Sequence, residues 1–243
     1  CNHNIIKEMK NKLQKYKPTD KMIDLIGDNY SLLQVMSRFG LSLGFGDKTV
    51  KEVCEMNNVD CHTFLVVVNF MAEGFSRMDG SADDISIPAL VDYLRQAHIY
   101  FLDYCLPAIR RKLIEAIDCS QDDVSFLILK FFDGYMREVR KHMEYEEKTV
   151  FKYVDTLIHG NAPKNYQIST FSKHHDQVGE RLTELKNIII KYCPAKANTN
   201  VLNAALFDIY ACEEGLESHC KVEDYLFVPA ILKLERRMRE NEK

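Results

Sequence analysis

Along most of the 243-residue chain apolar side chains return every three or four positions, and runs that alternate with a period of two are sparse. The spacing predicts a nearly all-α protein. Early in the chain the predicted helices are short: "DKMIDLIGD", "YSLLQVMSRFG", "TVKEVCEMNN" opened by a capping box of Thr49 and Glu52, and "CHTFLVVVNFMAEG" capped by Asp60. A stretch of Gly, Ser and Asp, "RMDGSADDISIP", reads as a linker. Beyond it the apolar stripe continues through four longer runs, at about residues 86 to 118, 121 to 159, 165 to 192 and 199 to 240. Ser120 with Asp123 makes a capping box ahead of the second run, "HGNAPKN" parts the second from the third, and "CPAKANTN" parts the third from the fourth. Short connections between long amphipathic helices make neighbours antiparallel. The expected fold is therefore all-α: an antiparallel four-helix bundle over residues 81–243, preceded by a small helical domain over residues 1–80.

Composition narrows the function without naming it. With 46% hydrophobic residues the chain can bury a real core, and its net charge of −4 includes no basic block. That argues against nucleic acid or a membrane surface as partner. No run of about 20 apolar residues occurs, and "CNHNIIKEMKNKLQ" lacks an apolar signal core, so a cytoplasmic location is expected. The eight cysteines (Cys1, Cys54, Cys61, Cys105, Cys119, Cys193, Cys212 and Cys220) include no CxxC pair, which speaks against a zinc ribbon. They are expected to be reduced thiols, most of them on helices.

The chemistry gathers at histidines. "HMEYE" and "HCKVE" each set a His four residues ahead of a Glu, His142 with Glu146 and His219 with Glu223. Such a pair shares one helix face and can serve one metal centre. Chance alone supplies about 0.6 such pairs in a chain with eight histidines and 18 glutamates, so spacing by itself decides little. Position relative to the turns is more telling. His98 lies 22 residues before Ser120 and His142 lies 22 after it, which puts both at one height in an antiparallel hairpin. His175 lies 19 residues before Pro194 and His219 lies 20 after Thr199, so the second hairpin repeats the plan, and each half shows a His followed 44 residues later by HxxxE. Spacing does not fix the height of the second hairpin relative to the first; where the heights match, four imidazoles and two carboxylates converge in the bundle, where buried glutamates are costly without a cation or hydrogen bonds. Imidazole and carboxylate donors without thiolate suit iron, manganese or zinc, and two carboxylates that can bridge suit a pair of ions. Gly179 and Gly215 lie four residues from His175 and His219 and leave room for a ligand or for close helix packing.

The series His98, "HMEYE", "HHDQVGERL", "HCKVE" resembles the hemerythrin-like HHE cation-binding domain, and within it the repair of iron centres di-iron proteins, over about residues 86 to 235. The resemblance implies two non-haem iron ions, bridged by carboxylates and by an oxo group as a further option. Its ligands would be His98, His142, Glu146, His175, His219 and Glu223. Oxygen-carrying hemerythrins have another His where Gly179 stands and an Asp where Glu223 stands. Of the neighbours His174 and His175, only one can face inward, and His175 keeps both the "HD" pattern and the 44-residue repeat. Glu138 reads as a solvated acid more readily than as a ligand, and His3, His62 and His159 as ordinary histidines. The N-terminal module resembles the helical domain that precedes the bundle in this family over about residues 30 to 60, but Gly44, Phe45, Gly46 and Asp47 replace the family's Cys-Cys-Gly-Gly turn.

By resemblance, the expected function is repair of iron-sulfur clusters and the response to nitrosative or oxidative stress. Nitric oxide, O2 or peroxide would be bound or reduced at the di-iron centre, which leaves a reductase activity open. The rival is a di-iron O2 or NO sensor that signals through the N-terminal helices. Expected partners are these small molecules, with iron-sulfur proteins and a second copy of the chain as further candidates.

Overall fold

The computed structural model describes residues 15–73, 84–117, 123–160, 166–173, 178–194 and 197–241. Among them every regular element is helical, apart from one isolated antiparallel bridge between Lys21 and Thr49. None of these helices is long and apolar enough to cross a membrane. The described residues fall into two compact units, one from 1–96 with Val222–Leu234, the other from Ala97–Lys221 with the residues after Leu234.

In the first unit α1 (Met22–Asp28), α2 (Leu32–Arg38), α3 (Val50–Met56) and α4 (Cys61–Glu73) match the four short predicted segments. Their ends follow from local chemistry. Gly40, at φ 72°, ends α2 in a Schellman turn in which Leu41 N–H donates to Met36 O (2.9 Å) and Gly40 N–H to Ser37 O (3.0 Å). Thr49 and Glu52 make the expected box: Glu52 N–H donates to Thr49 Oγ1 at 3.3 Å and Thr49 N–H to Glu52 Oε2 at 2.8 Å. Asp60 caps α4 by accepting the Thr63 N–H at 2.7 Å. The core of this unit includes Met22, Leu25, Val35, Val53, Phe64 and Tyr93, all at most 2% exposed.

The long predicted runs appear as rods that change winding partway. α5 (Ile87–Ile99) passes through a π-helical segment, Tyr100–Cys105, into α6 (Leu106–Ala116). α7 (Asp123–Tyr145) passes through the π segment Glu146–Val150 into α8 (Phe151–Ile158). After a 3₁₀ turn at Ile168–Lys173 come α9 (Val178–Tyr192) and then α10 (Thr199–Val222), which passes through the π segment Glu223–Phe227 into α11 (Val228–Asn241). The third run thus holds a 3₁₀ turn at Ile168–Lys173, where its periodicity predicts α helix, and residues 174–177 lie outside the described ones. The Ser120 cap lies outside the described residues.

Two of the π segments have a visible cause. Pro107 and Pro229 follow Tyr100–Cys105 and Glu223–Phe227 closely, and a proline inside a rod lacks its N–H and crowds the carbonyl four residues back. One extra residue in the preceding turn relieves that conflict. Glu146–Val150 has no such proline, and the sequence shows no reason for its winding. In the second unit α7 packs against α6 and α9, around a core that includes Phe101, Ile109, Ile128, Phe132, Leu185 and Ile209, all fully buried.

Candidate metal centre

Each chemically interesting side chain sits at or beside a change of winding. His98 is the second-last residue of α5, just ahead of a π segment; Glu146 and Glu223 are the first residues of the other two. Single π turns gather at functional sites because the extra residue re-aims side chains that a regular helix would spread around its axis. His142 and His219 each precede a π-segment glutamate by one turn.

The result is a buried group of nitrogen and oxygen donors. His98, Glu146, His219 and Glu223 are 3%, 0%, 1% and 0% exposed. One ligand atom each from His98, Glu146 and His219 lies within 4.8 Å of the others, and Glu223 follows His219 by one turn along the same rod. Glu146 divides its two oxygens: Oε2 lies 2.8 Å from His98 Nε2 and Oε1 lies 2.8 Å from His142 Nε2. An aromatic wall holds the rings. His98 stacks on Phe151 at 5.5 Å and meets His219 edge-on at 5.1 Å, and Phe101 lies against His219 at 6.1 Å.

Glu147 escaped the sequence reading. A residue adjacent to Glu146 on a helix points about 100° away, so the HxxxE spacing gives it no part in the group. In the structure its Oε1 lies 2.9 Å from His98 Nδ1. With Nδ1 occupied by one carboxylate, Nε2 is the nitrogen that faces the cluster, the arrangement that orients a metal-binding imidazole. Burial works against a charge on His98, but the contacts to Glu146 and Glu147 outweigh it and raise its pKa.

Of the other candidates, Glu138 pairs with Arg181 and its side chain is 56% exposed, in keeping with a solvated acid. His62 is exposed, and His159 is an exposed ring whose Nδ1 lies 2.8 Å from Asp155 O. His3, His174 and His175 lie outside the described residues. Gly179 and Gly215 fall within α9 and α10. A second buried acid absent from the sequence reading is Glu235, whose Oε1 accepts from Tyr153 Oη (2.6 Å) and Ile168 N–H (2.9 Å) and ties the 3₁₀ turn to two rods. No spacing rule marks it.

A buried set of imidazoles and carboxylates on helical rods, free of thiolate, defines a class of helical cation-binding proteins. Residues 89–231 match the family described as Hemerythrin HHE cation binding domain, and the chain belongs to that family. No curated protein matches the chain.

Proposed function

We propose that this protein is a non-haem di-iron protein of the repair of iron centres type. It would act in the repair of iron-sulfur clusters and the response to nitrosative or oxidative stress in the cytoplasm. His98, His142, His175 and His219 would hold the ions as terminal ligands with Glu146 and Glu223 as bridges, on an antiparallel four-helix bundle behind a small helical N-terminal domain. The observation that carries this reading is Glu146. A carboxylate at 0% exposure is costly to keep ionised, and this one presents each oxygen to a different imidazole. Cations held by these donors would compensate the charge. Bound iron would supply electron chemistry and a position for nitric oxide, O2 or peroxide. The chain's own part is to fix the donors: Glu147 holds His98 by Nδ1, Phe151 and Phe101 brace the rings, and burial keeps bulk water from the carboxylates.

An O2 or NO sensor is the second reading. It is favoured by the turn at Gly44 and Gly46, whose positive φ values of 87° and 64° preserve a glycine turn while no thiol stands there for redox or iron handover. Turnover separates the two: a catalyst consumes nitric oxide or peroxide repeatedly with a reductant, whereas a sensor binds once and changes conformation.

Metal analysis of the purified protein tests the centre. Two iron ions per chain are expected, falling well below two in both His142→Ala and Glu223→Ala with helical circular dichroism retained. Unchanged iron in both variants would overturn the assignment.

A further inference from the structure

Away from the histidines, two thiols meet at the turn between α3 and α4. Cys54 lies in the last turn of α3 and is fully buried, while Cys61 is the first residue of α4 and reaches solvent in part. The backbone brings them together. Cys54 O accepts from Asn57 N–H (3.2 Å) and from Val59 N–H (2.9 Å), and Asn58 turns the chain at φ 54°. Asp60 then starts α4 by accepting the Thr63 N–H, and α4 packs back against α3. The two thiols are hydrogen-bonded to each other, and both are free.

We propose that Cys54 and Cys61 form a peroxide-responsive disulfide switch, in which Cys61 is the attacking thiol and Cys54 the resolving one. Exposure supplies the roles: Cys61 reaches solvent in part, where peroxide can meet its sulfur, while Cys54 is fully buried behind it and can only resolve. The Cys54 thiol donates to the Cys61 sulfur, which pulls Cys61 below the usual thiol range against its partial burial and the charges of Asp60 and Glu55, with Lys51 helping. The same contact and full burial push Cys54 up, so it keeps its proton until needed. A partly exposed thiol with thiolate character beside a second cysteine is the arrangement of redox-responsive dithiols.

The chemistry balances with hydrogen peroxide as oxidant. The Cys61 thiolate attacks one peroxide oxygen; the O–O bond breaks, leaving a sulfenic acid on Cys61, and the departing hydroxide takes up a proton to become water. The Cys54 sulfur then attacks the Cys61 sulfur, the S–O bond breaks, and the hydroxyl leaves as water with the Cys54 proton. Two thiols are oxidised to one disulfide and one peroxide is reduced to two waters; a thiol reductant reverses the bond. No metal takes part.

The full-length reduced protein, held in chelator, is treated with equimolar hydrogen peroxide, alkylated with iodoacetamide and mapped by peptide mass. Two of the eight thiols are expected to disappear, with the Cys54 and Cys61 peptides joined two hydrogens lighter than the dithiol and released by dithiothreitol. Before oxidation, Cys61 should alkylate about tenfold faster than Cys54. Cys54→Ser should stop at a Cys61 sulfenic acid that dimedone traps. The proposal is overturned if wild-type Cys61 still alkylates fully after peroxide, if it proceeds to sulfinic acid without a cross-link, or if the new bond joins other cysteines. The wild-type map decides without any variant, and chelation keeps the outcome separate from the iron reading.

Discussion

Asp133 accepts both Nε and Nη2 of Arg110, at 2.6 and 3.1 Å, in a bidentate pair whose side chains are about a third exposed. The arginine's hydrogen bonds hold the carboxyl below its ordinary 3.8. Because the folded pKa is the lower one, the pair stabilises the protein fully above 3.8, and that stability is lost as pH falls through the folded value. Asp133→Asn should cost about 0.5 kcal/mol at neutral pH, the scale of a partly solvated pair, and the urea midpoints of variant and wild type should converge in acid below 3.8. A gap that persists there would mean the pair is not its source.

Local capping decides where helices begin. Asp60 is the clearest case, since α4 carries eight buried residues from Thr63 to Phe70 and its start rests on the Asp60 side chain. Asp60→Ala should cost about 1 kcal/mol and lower the melting temperature by about 2–4 °C, while Asp60→Asn, which can still accept, should lose much less. Equal losses in both variants would trace the effect to charge instead of the cap. The π segments belong to the same scale. Those before Pro107 and Pro229 have a cause in the chain itself, whereas Glu146–Val150 has no such proline, and it is this segment that delivers Glu146 to two imidazoles.

Across the molecule, a site that holds metal only when folded couples binding to stability. At a free metal concentration of 100 times Kd the native state gains about 2.7 kcal/mol. Chelation should therefore lower the melting temperature, and adding Fe(II) to the chelated protein should restore it in a concentration-dependent way. The same treatment of Glu146→Ala should move the transition little. A melting temperature indifferent to chelator in the wild type would count against any cation in the group.

The helical class, the short N-terminal helices with their Thr49 and Asp60 caps, and the helical character of the long runs were legible in the chain, because hydrophobic period and cap chemistry are local properties. The HxxxE pairs and the matched distances of His98 and His142 from one turn were legible for the same reason: a regular helix converts spacing into face and height. Tertiary structure alone decided what those faces meet. That Glu147 takes His98 Nδ1, that Glu138 pairs with Arg181, that Glu235 joins Tyr153 to Ile168 and that Cys54 meets Cys61 all depend on which helices lie side by side and where their winding changes. Periodicity gives an angle around one axis and a rise along it; the distance between two axes comes from packing, which no single stretch of sequence contains.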